Sequence, residues 1–449
     1  MSPYEESRQA ASSSQPAKGS AQAKAAAKAE QLLATSATCV IRIDNKEIKN
    51  DVSSVKLEQY INQHHVLAIR IKQIGGSSSS SGIDDPSDYS GFLGKSISLN
   101  IKPQGGLVDS SKEMEFIGVV TKLGLDNSID GVNTVLITAS SPTIALDGAR
   151  HNAFFHDMTA SDVIGAILRK YPITLGSIES TTVTHKFTVQ YRETDYEFIM
   201  RLAGESGKFA FYNGKEFRLV KASGNAPEDL TWRETLGAFT FGFGTGAYEF
   251  ASQVYNYEQK KHYKQDTKSL PAQSALSALS KIAPDASQTI FSNSGFSIIP
   301  KTIGDSQSLD ELLQSKKNGV LGQMIKCYGI SIIPKVTVGS CVKVKGMDKL
   351  DGTFWVNYIC HKFDESGQYS NSFDCTPLDM AFPTARYRRL PITDIQSAEV
   401  LDNNDPDKMG RIKVKFPWID SDETRYWKNQ PFSLAHQSNA RHQATEAIH

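Results

Sequence analysis

Residues 189–220 read VQYRETDYEFIMRLAGESGKFAFYNGKEFRLV, and they specify three elements in succession. A strand ends near Tyr191. Thr194, followed three residues later by Glu197, has the spacing of a capping box, in which each side chain satisfies the other's free backbone N–H. Beyond it Tyr196, Ile199, Met200 and Ala203 share one helical face, and Gly207 suits the left-handed position just past a helix end. Asn213-Gly214, set between KFAFY and KEFRLV, predicts a two-residue hairpin turn with positive φ at both centres. Strand, helix and hairpin follow in that order.

The flanking sequence is of a different kind. Residues 158–172, MTASDVIGAILRKYP, predict a second amphipathic helix that starts at Thr159 with Asp162 and stops before Pro172. Upstream, CVIRIDNKEI (39–48, with an Asp-Asn turn), VSSVKLEQYI (52–61) and HHVLAIRIKQI (64–74) alternate with the period of half-buried strands. So do KSISLNIK, MEFIGVVTKLGL and VNTVLITAS, while GGSSSSSGIDDPSDYSG (75–91) reads as a long loop. Strand texture returns in ISIIPKVTVGSCVKVKG, GTFWVNYICHKFD and GQYSNSFDCTP. Before these strands, residues from about 258 to 295 are polar and rich in small side chains, as in a linker, an insertion or an excursion around a partner.

Composition excludes several classes. Lys plus Arg and Asp plus Glu number 49 each, so no global field favours nucleic acid or anionic membrane. No run approaches the roughly 18 apolar residues that span a bilayer. The N-terminus lacks the apolar core of a secretory signal. Cys39, Cys327, Cys341, Cys360 and Cys375 form no C-x-x-C pair, which predicts reduced thiols and folding in a reducing cytoplasm.

Catalytic and ligand motifs fail on their own spacing. Gly94-Lys95-Ser96 resembles half a phosphate loop, but Tyr89 stands where the first glycine belongs and a strand follows. His64 and His65 lie between strand segments, where neighbours point to opposite faces; they read as surface or turn histidines rather than metal ligands. Cys360-His361 lacks two further zinc ligands. The acidic stretch at 402–407 has Asp407 where a calcium loop needs glycine and lacks the closing glutamate, so it reads as an Asx-rich turn. It does not by itself supply the facing carboxyls of a glycosidase. RYRR at 386–389 is too short and isolated for a nucleic-acid element, and the aromatics of KFAFY and GTFWVNY sit at core spacing. The expectation is a chain with no catalytic residue, no metal and no cofactor.

Several stretches, taken in order, resemble one family. VQYRETDYEFIMRLAGESGKFAFY is similar to the signature segment of VgrG spike proteins of type VI secretion, and of related hub-spike proteins of phage tails and extracellular contractile injection systems. MEFIGVVTKL, MTASDVIGAILRKY, GTFWVNYICHKFDESGQYSNSF and AEVLDNNDPDKMGRIKVKFPW (398–418) are similar to segments in the same order there. The resemblance spans residues 38–430. The motif positions are Tyr191, Asp195, Phe198, Leu202, Gly207, Gly410, Arg411, Val414, Phe416 and Trp418, all structural.

The resemblance implies a mainly β chain with an α+β insert, tandem β-barrel hub domains and then the start of an OB-fold. Its divisions are an N-terminal extension, disordered or ordered by a partner, over 1–37; a first β-barrel over 38–150; an α+β domain over 151–257; and a linker or insertion over 258–296. A second β-barrel follows over 297–385, a linker with partial OB-fold over 386–430, and a disordered tail over 431–449. The implied protein is a homotrimer that joins a hexameric inner-tube protein and baseplate proteins to a needle with a PAAR-type tip and effector cargo. It binds no nucleic acid, and touches a target membrane only by puncture. Such particles assemble in the bacterial cytoplasm and act as part of a secretion or extracellular phage tail-like particle. An OB-fold needs five strands, and residues 398–449 have room for only two or three, so a shortened chain or completion by another polypeptide is expected. Two other readings stand beside this one: a monomeric OB-type oligonucleotide- or glycan-binding module, and a tail-associated cell-wall hydrolase.

Overall fold

The computed structural model describes residues 34–48, 52–74, 90–127, 132–257, 259–270, 276–293, 295–299, 305–383, 395–405, 408–417 and 432–434. The expectations for residues 1–33, 418–431 and 435–449 therefore lie outside the described residues. The fold is mainly β with an α+β insert.

The N-terminal strands are β1 (Thr35–Ile43), β2 (Lys46–Glu47), β3 (Val52–Tyr60), β4 (Val66–Ile74), β5 (Ser96–Pro103), β6 (Met114–Asn127) and β7 (Val132–Ser140). The Asp44-Asn45 turn between β1 and β2 has φ of 51° and 63°, the left-handed pair that a two-residue hairpin requires. Antiparallel pairings run β1–β5–β6–β7–β4–β3. Alternation fills the interior: Leu67, Ile69 and Ile71 of β4 and Ile97, Leu99 and Ile101 of β5 are buried in one core with Phe116 and Ile137.

Two strands from far along the chain close this sheet. β20 (Gly352–Asp364) pairs with β3, β21 (Gln368–Pro377) pairs with β1, and β20 and β21 pair with each other. Eight strands thus form a complete circuit. Closure leaves none of the eight as a free edge within the ring.

The same β20–β21 hairpin belongs to a second sheet. β18 (Ile325–Ser331) pairs with β21 and β19 (Cys341–Lys345) with β20. β13 (Glu228–Thr231) and β14 (Leu236–Phe243) extend the two ends through β19 and β18. A second core, with Leu230, Leu236, Ile325, Val344, Phe354 and Phe373, fills the space between them. The sheet does not follow the sequence blocks. β13 and β14 come from within 151–257. The C-terminal hairpin is common to the closed barrel and to a second, barrel-like set of strands that no β13–β14 pairing closes among the described residues.

The insert holds β8 (His151–Thr159), α1 (Ala160–Leu168), β9 (Leu175–Ile178), β10 (Thr184–Glu193), α2 (Asp195–Glu205), β11 (Phe209–Tyr212) and β12 (Phe217–Val220). β8 pairs with β10, and β11–β12–β9 make a separate three-stranded sheet. Both helices pack into one core with Phe155, Phe198, Ile199 and Phe217. Thr159 caps α1 by accepting the Asp162 N–H at 3.2 Å. The β11–β12 turn differs from expectation. Only Gly214 has positive φ (109°), the turn spans residues 213–216, and Asn213 Oδ1 accepts the N–H groups of Lys215 and Glu216, each at 2.9 Å. An Asx turn has replaced the doubly left-handed one.

The stretch read as a linker or insertion carries structure. β15 (Phe250–Asn256), β16 (Lys261–Asp266) and β17 (Gly295–Ile298) form a small sheet, with α3 (Ala278–Ile290) between the last two. One sheet face, with Val254 and Tyr263, packs on Leu309 and Leu313 of α4 (Ser306–Met324). A terminal antiparallel sheet holds β22 (Glu399–Asp402), β23 (Ile412–Lys415) and β24 (Phe432–Leu434). β1 begins within the stretch assigned to the extension, and β24 lies in the stretch assigned to the tail.

Candidate functional site

The signature helix α2 is held from both ends and through its buried face. At its start Thr194 Oγ1 accepts the Glu197 N–H at 3.1 Å and Glu197 Oε2 accepts the Thr194 N–H at 3.0 Å, completing the capping box. At its end Gly207 takes φ of 65°, and a Cβ there would stand 2.9 Å from the Phe382 ring. Glycine is needed for both reasons. Phe198 and Leu202 are buried on the face between.

Asp195 is the polar centre of the unit. It is 3% exposed and accepts the Tyr171 hydroxyl at 2.6 Å and the Gln190 amide at 2.9 Å, with His151 Nε2 at 3.3 Å. Burial pushes its pKa upward, but His151, Tyr171 and Gln190 together prevail and hold it at about 2. Arg201, one turn or so further along, makes a two-point ion pair with Glu193 and donates to the Val189 carbonyl at 3.0 Å.

A second network joins α2 to the first barrel. His64 Nδ1 and Nε2 lie 2.9 Å from Thr143 Oγ1 and Asp147 Oδ2, and Thr194 Oγ1 donates to Asp147 Oδ1 at 2.8 Å. The His64 ring lies 4.1 Å from that of Tyr196. Burial acts to raise the Asp147 pKa, yet the bonds from His64 and Thr194 leave it lowered. These contacts correct the sequence reading of His64 and His65. Both sit at a turn, but neither is on the surface; they are 8% and 0% exposed. His65 lies between Phe116 and Tyr212, and burial depresses its pKa to about 3. Sequence gave no signal for this, because burial here comes from the insert folding over the barrel.

The hairpin tip completes the dock. The Ile117 N–H donates to the Gly214 carbonyl at 2.8 Å, and the Tyr212 hydroxyl donates to the Ile117 carbonyl at 3.2 Å. Phe209 and Phe211 pack with Trp355 of the shared hairpin at ring distances of 5.2 and 6.1 Å.

The C-terminal motif residues form a separate group. Asp405 accepts the N–H groups of Met409 and Arg411 at 2.7 and 3.1 Å and the Arg411 guanidinium at 2.7 Å. That closes the β22–β23 turn, in which Gly410 has φ of 76°. Val414 and Phe416 are buried nearby. Trp418 lies outside the described residues. Gln396, just ahead of β22, donates to the Tyr191 hydroxyl at 3.0 Å, so the two motif groups are connected. Neither group joins a nucleophile to a base in an open cleft; their chemistry is capping, pairing and packing. No cluster of three or more metal-ligating side chains occurs among the described residues.

This fold is similar to that of solved tail proteins and type VI secretion components. The chain is similar to the 43 kDa tail protein of prophage MuSo2 from Shewanella oneidensis, with 12% identity, a TM-score of 0.55, and coverage of 77% of this chain and 99% of that one. It is similar to an E. coli component of the type VI secretion system, described as structurally similar to the T4 bacteriophage tail proteins gp27 and gp5. There the identity is 13%, the TM-score 0.57, and the coverage 88% and 92%. The Francisella PdpA-VgrG complex in its half-lidded state gives 8% identity and a TM-score of 0.56, covering 95% and 77%. The model of the Alg8 N-terminal domain family matches residues 34–365, and the chain belongs to that family. Comparison of the sequence with curated proteins gives no match.

Proposed function

We propose that this chain is a structural hub and spike subunit of a contractile injection system. In this reading three copies form a trimer that joins a hexameric inner-tube protein and the baseplate to a membrane-puncturing needle. The observation that supports it most is the eight-stranded barrel closed by a hairpin that also carries a second set of strands, in a fold similar to that of a tail protein and a type VI secretion component over most of their length. The buried ion pairs and caps described above suit a part that transmits force rather than one that turns over substrate, and no enzymatic role is assigned. The terminal sheet with Gly410, Arg411, Val414 and Phe416 serves as the entrance to an OB-fold, completed further along or by another polypeptide. A PAAR-type tip and effector cargo are the partners expected beyond it. Assembly takes place in the bacterial cytoplasm.

Native mass spectrometry and electron microscopy of the full-length protein, alone and with a hexameric inner-tube protein, test this reading. A trimer that caps tube rings is expected. A stable monomer without affinity for such rings would overturn it, and stoichiometric, saturable oligonucleotide or glycan binding by that monomer would favour the OB-type binding module instead.

A further inference from the structure

The β16–β15–β17 sheet is covered on one face and open on the other. Its inner face meets α4 through Val254 and Tyr263. Period-two alternation puts Gln253, Tyr255, His262, Lys264, Phe296 and Ile298 on the opposite face. There Tyr255 is 49% exposed, Phe296 55% and Ile298 72%. A sheet face with its large apolar groups in water is one that another element covers.

Charge is distributed to one side of that face. The apolar pair Phe296 and Ile298 lies on β17, one outer strand. Lys260, His262 and Lys264 lie on or beside β16, the other outer strand, and all are exposed, whereas Lys261, paired with Asn256, belongs to the opposite face. Lys260 and Lys264 form no ion pair among the described residues. Lys264 reaches back across β15 to sit 5.5 Å from the Phe296 ring, so its ammonium marks the seam between the apolar and basic halves. Three strands are about 10 Å wide, the diameter of a helix with its side chains.

We propose that this face is a docking site for an acidic amphipathic helix of a partner protein. The helix lies along the sheet with its apolar stripe on Tyr255, Phe296 and Ile298, and with carboxylates along the one flank that faces Lys260 and Lys264. Charge complementarity selects an acidic partner; the one-sided placement of the lysines fixes which flank carries the acid. The site is a property of the single chain and does not rest on the assembly proposed above.

The test uses the full-length protein and a labelled Leu/Ala/Glu helix of about 18 residues, about 27 Å long, with glutamates on one flank. A matched helix with lysines in their place is the control. Fluorescence anisotropy should show saturable binding of the acidic helix that weakens as salt rises. The control should bind at least about tenfold more weakly, a gap of about 1.4 kcal/mol. Lys260→Glu/Lys264→Glu should reverse the preference, and Phe296→Ser/Ile298→Ser should weaken both helices, with unchanged thermal melts confirming the fold. Equal binding of the two helices, or binding insensitive to both variants, overturns the proposal. So does competition by a short oligonucleotide that displaces the acidic helix. Self-association that Phe296→Ser/Ile298→Ser abolishes would assign the face to a second copy of the chain instead.

Discussion

Arg201 and Glu193 form a bidentate ion pair, Nε to Oε1 and Nη2 to Oε2 each at 2.7 Å, with the two side chains only 6% and 12% exposed. Glu193 ends β10 and Arg201 lies in the middle of α2, so the pair fixes the angle at which the helix leaves the strand. Arg201→Met strands a buried carboxylate and should cost about 3–5 kcal/mol in urea unfolding. Arg201→Met/Glu193→Leu should recover most of that loss. A double variant as unstable as the single one would show that the pair is not the main contribution of these residues.

Gly207 gives a second, separable prediction. Gly207→Ala meets both the left-handed backbone and the Phe382 ring. The backbone part alone costs about 1–2 kcal/mol. Adding Phe382→Ala to Gly207→Ala relieves the steric part and leaves the backbone part, so the two effects should be sub-additive in thermal denaturation.

Acid should destabilise the protein in two windows. His65 and His361 are buried neutral imidazoles with pKa lowered from 6.5 to about 3 by burial. Between those values the unfolded chain binds the protons and the folded chain does not, so stability falls as pH drops below 6.5. The slope is at most about 1.4 kcal/mol per pH unit for each imidazole. Asp195, with its folded pKa at about 2, contributes stability that is present above 3.8 and lost as pH falls toward 2. His361→Gln should flatten the upper window by about one proton and Asp195→Asn the lower one. Urea titrations across pH would read both.

The turn at Asp405 offers a local test. Asp405→Ala removes the acceptor for two backbone N–H groups and one guanidinium. Hydrogen exchange in Ile412–Lys415 should accelerate, with the barrels unaffected. Gly410→Ala should act in the same direction, by about 1 kcal/mol.

Because β20 and β21 belong to both the closed barrel and the second, barrel-like set of strands, damage to one should be felt by the other. Val356→Ala, on β20 and wholly buried in the second core, should cost about 1–3 kcal/mol. Exchange protection should drop in β4 of the first barrel as well as in β14 of the second set. Loss confined to β14 would mean that the two open independently.

The contrast between α2 and the barrels shows what the sequence could carry. Thr194 with Glu197, Thr159 with Asp162 and Gly207 act within a few residues, so their spacing announced both helices and their ends. The alternation of β4 and β5 likewise announced strands. The partner of β3 did not show, because the pairing of Tyr60 with Tyr358 crosses about 300 residues and leaves no local mark. The same holds for His64–Asp147 and Gln396–Tyr191, which lie 83 and 205 residues apart. Their side chains read as ordinary until the fold brings them together. Asn213-Gly214 failed for a different reason: the Asn213 side chain satisfied the turn by its own hydrogen bonds and made a second positive φ unnecessary.

The borrowed hairpin also has a consequence for biogenesis. When Ser140 has left the ribosome, six strands of the first barrel exist as an open sheet with β1 and β3 as raw edges. The strands that seal it end at Pro377, 237 residues later. At about 5–20 residues per second that interval is about 12–47 s. Throughout it the nascent chain presents two unsatisfied strand edges, a natural target for a holding chaperone and the point at which overexpression would divert the chain into aggregates.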